Sequence, residues 1–410
     1  MPAMIGRSKG KAFAGLKERL AKKLQGWNEQ FLSKAGREVL IKVVSQTIPN
    51  YTMSCFRLPK GLCDDINALT AKFWWGQSSS GRKMHWCNWA RLCAAKEDGG
   101  LGFRDFNAFN LALLAKQGWR FLKNQHSLVF RVCKARYFPK CDFMQAKIGT
   151  NPSFIWRSIL SARETIQEGM FWKVGDGRTI RVWDDRWLEC NTSPKPAGTV
   201  VKVVRDLVDE DRNWWNEALI DSIFDRAVAE KIKQMPLGNL NSSDQLSWKE
   251  TKTGEFLVNS AYQLEIRRTT AQVKGEVSDP EGRSRFWRKL WRLNIPGKVK
   301  HFIWRALVIS ETTTHILWEC PFANCVWSTS SGRLQKCHVS EEEFIVLVRK
   351  LVRMLSREEL EVWAVLSWSI WNARNAWIHE GVDPNPILVY EKVLGFLKEF
   401  KQAKLLGPNM

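Results

Sequence analysis

Apolar residues recur at helical spacing from the start of the chain. Phe13, Leu16, Leu20 and Leu24 share one helix face, and Gly26 supplies a stop. A second helix is predicted after Ser33 through Leu40, Val43 and Val44, ending before Pro49 because the residue ahead of a proline avoids the helical region. A third follows Pro59, with Leu62, Ile66, Leu69 and Phe73 on one side. Residues 99–120 predict a fourth, capped by Asp105, with Leu111, Leu114, Ala115, Gly118 and Leu122 inward and Lys116 and Arg120 on an i,i+4 ridge.

The period changes near Glu168. Trp172 and Val174 alternate with Lys173, Gly175-Asp176-Gly177 turns the chain, and Ile180 and Val182 alternate with Arg181, which predicts a β-hairpin. Leu246, Trp248, Gly254, Phe256 and Val258 predict a second, followed by a short helix capped by Ser260. Residues 201–237 between them read as acidic and helical. Residues 271–285 are polar and aperiodic, so they read as a linker. The tail returns to helix, with capping boxes at Ser340/Glu343 and Ser356/Glu359. The fold class expected is α+β, mainly helical. The expected divisions are a helical basic region over 1–150, a mixed α+β region over 151–270, the linker, a module over 286–335 and a helical tail over 336–410.

Charge adds what periodicity does not. The 410 residues carry a formal net charge of +21, and residues 1–150 hold 26 lysines and arginines against 9 acids. Such a block attracts polyanions through counterion release, whatever their sequence. A second basic cluster, Arg283, Arg285, Arg288, Lys289, Arg292, Lys298 and Lys300, is interleaved with Trp287 and Trp291. The chain has 22 tryptophans, most of them expected as buried anchors, and ten scattered cysteines that read as reduced thiols. With no apolar run of membrane-spanning length and no leader-like start, an intracellular protein, nuclear or cytoplasmic, is expected.

Six segments carry a resemblance: LSKAGREVLIKVV (32–44), GGLGFRDFNAFNLALLAKQGWR (99–120), WKVGDGRTIRVWDDRWL (172–188), DQLSWKETKTGEFLVNSAY (244–262), PGKVKHFIWRA (296–306) and HILWECPFANCVW (315–327). In this order they resemble the downstream half of plant LINE-type (non-LTR) retrotransposon reverse transcriptases, over nearly the whole chain. The resemblance implies a helical thumb-like region at the start and a zinc-binding module near the end. The family's metal-binding carboxylates lie in a palm domain upstream of the first segment, and an RNase H domain often follows the last helices. Both are expected to be absent here, and the chain is expected not to be an enzyme.

Residue chemistry agrees with that expectation. Asp64-Asp65 opens an amphipathic helix, where acids favour the dipole, and Asp184-Asp185 follows a predicted strand. Gly6, Gly10 and Lys11 are one residue short of a phosphate-binding loop. In the resembled module a Cys-x2-Cys pair precedes His-x4-Cys. His315 and Cys320 match the second half, but no Cys-x2-Cys occurs anywhere, leaving the site incomplete unless Cys325, Cys337 or His338 completes it. No cofactor is expected. The expected function is sequence-independent RNA or DNA binding by a non-catalytic remnant, through Lys34, Arg37, Lys42, Arg82, Lys83, Lys116 and Arg120. The alternatives are a decayed coding fragment and a protein-interaction module built on Trp363, Trp368, Trp371 and Trp377.

Overall fold

The computed structural model describes residues 9–27, 32–76, 87–188, 199–209, 212, 214–237, 242–271, 280–308, 314–330, 333–334 and 343–406. In chain order the helices are α1 (Lys9–Gln25), α2 (Lys34–Leu40), α3 (Asn50–Met53), α4 (Lys60–Trp75), α5 (Trp89–Cys93), α6 (Phe106–Lys123), α7 (Leu128–Tyr137), α8 (Phe154–Leu160) and α9 (Arg163–Gly169). They continue with α10 (Glu217–Ile223), α11 (Arg226–Gln234), α12 (Val258–Ala271), α13 (Pro280–Trp291), α14 (Gly297–Val308), α15 (Pro321–Ser328), α16 (Phe344–Met354), α17 (Arg357–Glu380) and α18 (Pro386–Leu405). Strands are short: β1 (Met170–Lys173), β2 (Val208–Asp209), β3 (Trp214–Trp215) and β4 (Gln245–Trp248). They form two antiparallel two-stranded ribbons, β1 with β4 and β2 with β3, so the fold is mainly helical α+β.

Contacts divide the chain into two compact units that do not follow sequence order. One comprises residues 1–13, 49–60 and 106–275; the other comprises 14–48, 61–105 and 276–410.

In the first unit α6 lies against α8, α9 and α12. Leu114 and Ala115 are fully buried, and Gly118 is inward because a Cβ there would stand 2.5 Å from Ile166 Cδ1. One turn earlier Asn110, also fully buried, uses both ends of its amide. Its Nδ2 donates to the carbonyls of Met53 (2.7 Å) and Phe56 (2.9 Å), and its Oδ1 accepts from the Leu58 N–H (2.8 Å). Buried polar groups are tolerated when satisfied in this way. Trp156 is sandwiched between Tyr137 at 4.9 Å and Phe138 at 5.3 Å, which seats the C-terminal end of α7.

The first predicted hairpin pairs differently. β1 joins β4 in the register Phe171↔Ser247, while Ile180 and Val182 enter a separate core with Trp187, Val204, Trp215 and Ile232. The carboxylate of Asp244 decides this. It accepts from the backbone N–H groups of Gly175 (2.8 Å), Gly177 (2.9 Å) and Thr179 (2.9 Å), curling the chain around one side chain where a return strand was expected. Burial alone would raise the Asp244 pKa, but these bonds hold it below its ordinary value.

The second predicted hairpin also fails. Gly254, at φ +75°, lets the chain fold back so that its carbonyl accepts from the Trp248 N–H at 2.8 Å, but Phe256 then packs on Trp248 and Val258 opens α12. Residues 201–237 hold α10 and α11 as expected, with β2 and β3 besides.

In the second unit α14 packs against α2 and α17, and α17 against α18. The expected linker ends early, since residues 280–285 form the first turns of α13, with Pro280 where a missing N–H is harmless. The rest of it, 272–279, lies outside the described residues, as does Ser340. At the start of α17 the Ser356 hydroxyl accepts from the Glu359 N–H at 3.2 Å and the Glu359 carboxylate accepts from the Ser356 N–H at 2.8 Å, forming the expected box. Asp105, just ahead of α6, accepts from Asn67 Nδ2 at 3.2 Å.

Candidate nucleic-acid interface

Three of the predicted contact residues are tied into the second unit. α4 ends in carbonyls with no partner within the helix, and cations suit that end. Lys34 Nζ donates to the Trp74 carbonyl at 2.6 Å, and buried Arg37 donates to the carbonyls of Phe73 (3.3 Å) and Trp74 (3.4 Å). Lys42 donates to the Leu101 carbonyl and to Glu38, each at 2.6 Å.

Glu38 centres this region. Its buried carboxylate takes Lys42, Lys96 at 2.7 Å and His301 Nε2 at 2.8 Å. Burial pushes its pKa up, but the bonds from His301, Lys42 and Lys96 outweigh that and hold it well below the carboxylate range. Burial also lowers the Lys42 pKa despite the ion pair. Sequence reading left these cations for phosphates because most of the groups they serve, the carbonyls of α4 and of Leu101, are distant in sequence.

Lys116 and Arg120 differ. Both are exposed along α6, and Arg120 makes a 3.4 Å bond to Gln117. They begin a stretch, residues 116–163, with ten lysines and arginines and a single acid, Asp142. Lys123, Arg131, Arg136, Lys140, Lys147 and Arg157 in this stretch are exposed as well, and none has a carboxylate partner among the described residues. Lys134 and Arg163 instead bond backbone carbonyls, of Cys141 at 2.7 Å and of Ala146 at 2.6 Å. α7 has no buried residue, yet it is held at both ends, by the Ser127 cap and by the Tyr137/Phe138 stack. Sequence reading named only the first two cations of this surface; the local scarcity of acids was the signal for the others. Arg82 and Lys83 lie outside the described residues.

No family model matches the chain. An Arabidopsis thaliana protein that bears the provisional name of a ribonuclease H protein is 29% identical over 422 aligned positions, covering 91% of this chain and 65% of that protein. An uncharacterized mitochondrial protein of Arabidopsis thaliana is 45% identical over 150 residues, which is 36% of this chain and 97% of that protein. The chain belongs to the family of that mitochondrial protein. It spans about 65% of the length of the longer relative. Together these relatives suggest a retroelement-derived protein.

Within this family member the paired acids stand in structural settings. Asp65 forms an exposed 2.7 Å ion pair with Lys17 on the surface of α4. Asp185 accepts from the Arg181 N–H at 2.8 Å and from its guanidinium at 3.2 Å, closing the turn that Asp184 shares. Burial and the Asp185 pair act in opposite directions on Arg181, and the hydrogen bond to Asp185 leads in raising its pKa.

The residues matching the second half of a zinc module lie in different surroundings. Cys320 is buried with its sulfur accepting from the Ala323 N–H at 3.3 Å, as the N-cap of α15, while His315 faces solvent. Among the described residues no three His, Cys, Asp or Glu side chains gather to hold an ion. Cys325 is exposed, and Cys337 and His338 lie outside the described residues. The cysteines described are free thiols, and no helix among the described residues is long and apolar enough to cross a membrane.

Proposed function

We propose that the chain corresponds to the downstream half of a plant LINE-type (non-LTR) reverse transcriptase and binds single-stranded RNA or DNA without sequence preference and without catalysis. The observation that carries this reading is the surface of residues 116–163, where eight exposed cations stand with one acid. On a helix with no fully buried residue and no acid, Arg131 and Arg136 have no carboxylate partner among the described residues, whereas phosphates release their counterions to such charges.

The test is binding of an unstructured oligonucleotide across a salt series. About seven phosphate contacts give a slope of log affinity on log salt near −5 for single strands, and Lys116→Ala/Arg120→Ala makes it shallower by about 1.4. Binding that ignores salt, or no binding, overturns the reading. The non-catalytic part has its own check, since purified protein is expected to extend no primer with magnesium or manganese. Template-dependent incorporation lost in Asp64→Asn/Asp65→Asn overturns it.

The protein-interaction reading keeps one support. Trp363 is buried, Trp368 stacks on Phe396 at 5.9 Å and Trp371 lies 6.1 Å from Phe302, but Trp377 is exposed beside Ile378 at the end of α17. A partner whose binding is insensitive to salt and lost on Trp377→Ala would favour it.

A further inference from the structure

The β1/β4 ribbon forms one side of an open cleft of about 780 Å³ within the first unit. The register places Phe171 opposite Ser247 and Lys173 opposite Gln245, so alternation puts Phe171, Lys173 and Ser247 on one face of the ribbon. Two turns complete the lining, and both are fixed from within. The turn through Trp183 is closed by the Asp185 bonds to Arg181, and the loop from Lys249 to Gly254 is closed by the Trp248 N–H to Gly254 carbonyl bond.

Charge in the cleft is not balanced. Its three carboxylates already have counterions, Asp184 and Asp185 in Arg181 (3.7 and 3.2 Å) and Glu250 in Arg267. Its three lysines, Lys173, Lys249 and Lys252, are exposed, and none has a carboxylate partner among the described residues. An open, pre-formed cleft with surplus positive charge selects an anion. Phe171 and Trp183, half-buried in its lining, add ring surface of the kind on which bases stack. The volume lies in the range that holds a small organic ligand, of the order of one or two nucleotides.

We propose that this cleft is a second phosphate-binding subsite, in which Lys173, Lys249 and Lys252 hold the phosphodiesters of one or two nucleotides of a single strand beside Phe171 and Trp183. The proposal rests on the nucleic-acid reading above and adds a place to it. The test uses the full chain with a 4-thiouridine oligonucleotide, reading the cross-linked peptides and the salt slope together, for the parent, for Lys173→Gln/Lys249→Gln/Lys252→Gln and for Lys116→Ala/Arg120→Ala. Cross-links in the peptides holding Phe171, Trp183 or residues 247–254 are expected in the parent. In the triple variant they are lost and the slope is shallower by about 2. The α6 variant keeps these cross-links while weakening binding. Parent cross-links elsewhere, or an unchanged slope in the triple variant, overturn the cleft alone, whereas a parent that binds no oligonucleotide overturns both readings. Equal displacement of the oligonucleotide by poly-glutamate overturns the nucleotide assignment. The parent cross-link map decides the matter even if the triple variant misfolds.

Discussion

Two sets of basic residues, one in each unit, look alike in the sequence and do different things in the fold. In the second unit Lys34, Arg37 and Lys42 complete the end of α4 and a buried carboxylate. In the first, Lys116, Arg120, Arg131 and Arg136 point to solvent with no carboxylate to answer them. A positive count therefore says little about binding until each cation has been matched to whatever lies within bonding distance. Where a carboxylate or a helix-end carbonyl lies within bonding distance, the cation belongs to the fold; where neither does, the charge is left for a partner.

The comparison breaks most visibly at Glu38. Glu38→Gln leaves Lys42 and Lys96 around a buried amide, and removing one partner of such a pair costs about 3 kcal/mol. The folded pKa is depressed, so the stabilisation is complete above the ordinary carboxylate value of 4.5 and is lost as pH falls from there toward the folded value. Denaturant melts between pH 7 and pH 3 should show a steep acid loss in the parent and a flatter one in the variant. Equal profiles would remove Glu38 from the centre of that unit.

Arg37→Met comes next. It keeps the buried stem but removes the guanidinium bonds to the carbonyls of Phe73 and Trp74, which retain the Gly76 N–H and Lys34 as donors, for a loss of about 2 kcal/mol. Its salt slope for oligonucleotide binding should equal the parent's, and a shallower slope would return Arg37 to the interface.

Helices were legible where one face repeated, as in α4 and α6, because their stripes bury regardless of what they meet. The ribbons were not. A strand of four residues takes its partner from the whole fold, and Asp244, 69 positions from Gly175, decided which segment met β1. The interface was half legible for a related reason. Exposed cations can be counted from sequence, but those claimed by Glu38 or by α4 carbonyls can be told apart only after tertiary contacts form. Cys320 shows the same limit, since a spacing that suits a metal ligand suits an N-cap equally well.

Arg131→Gln/Arg136→Gln should reverse the Arg37 result. Both side chains are exposed on α7, so stability should stay within about 0.5 kcal/mol of the parent, while the salt slope becomes shallower by about 1.4. A stability loss above 1 kcal/mol with no change in slope would mean that these charges too serve the fold.

The smallest effects are expected at His315 and Cys320, where the second unit is tested for a role beyond its own packing. A hydroxyl caps a helix at least as well as a thiol, so Cys320→Ser should shift stability by no more than about 0.5 kcal/mol. His315 is exposed, and His315→Ala should change as little. Metal analysis of protein purified without chelator should give well under one zinc per chain, because a His-x4-Cys pair supplies two of the four ligands a structural zinc requires. A metal-built module would behave differently. Its binding energy is folding energy, so losing either ligand would release the ion and unfold the surrounding helices together. One zinc per chain, lost on either substitution along with several kcal/mol of stability, would show a rearranged tetrad, and Cys320 would then be a ligand in addition to a cap.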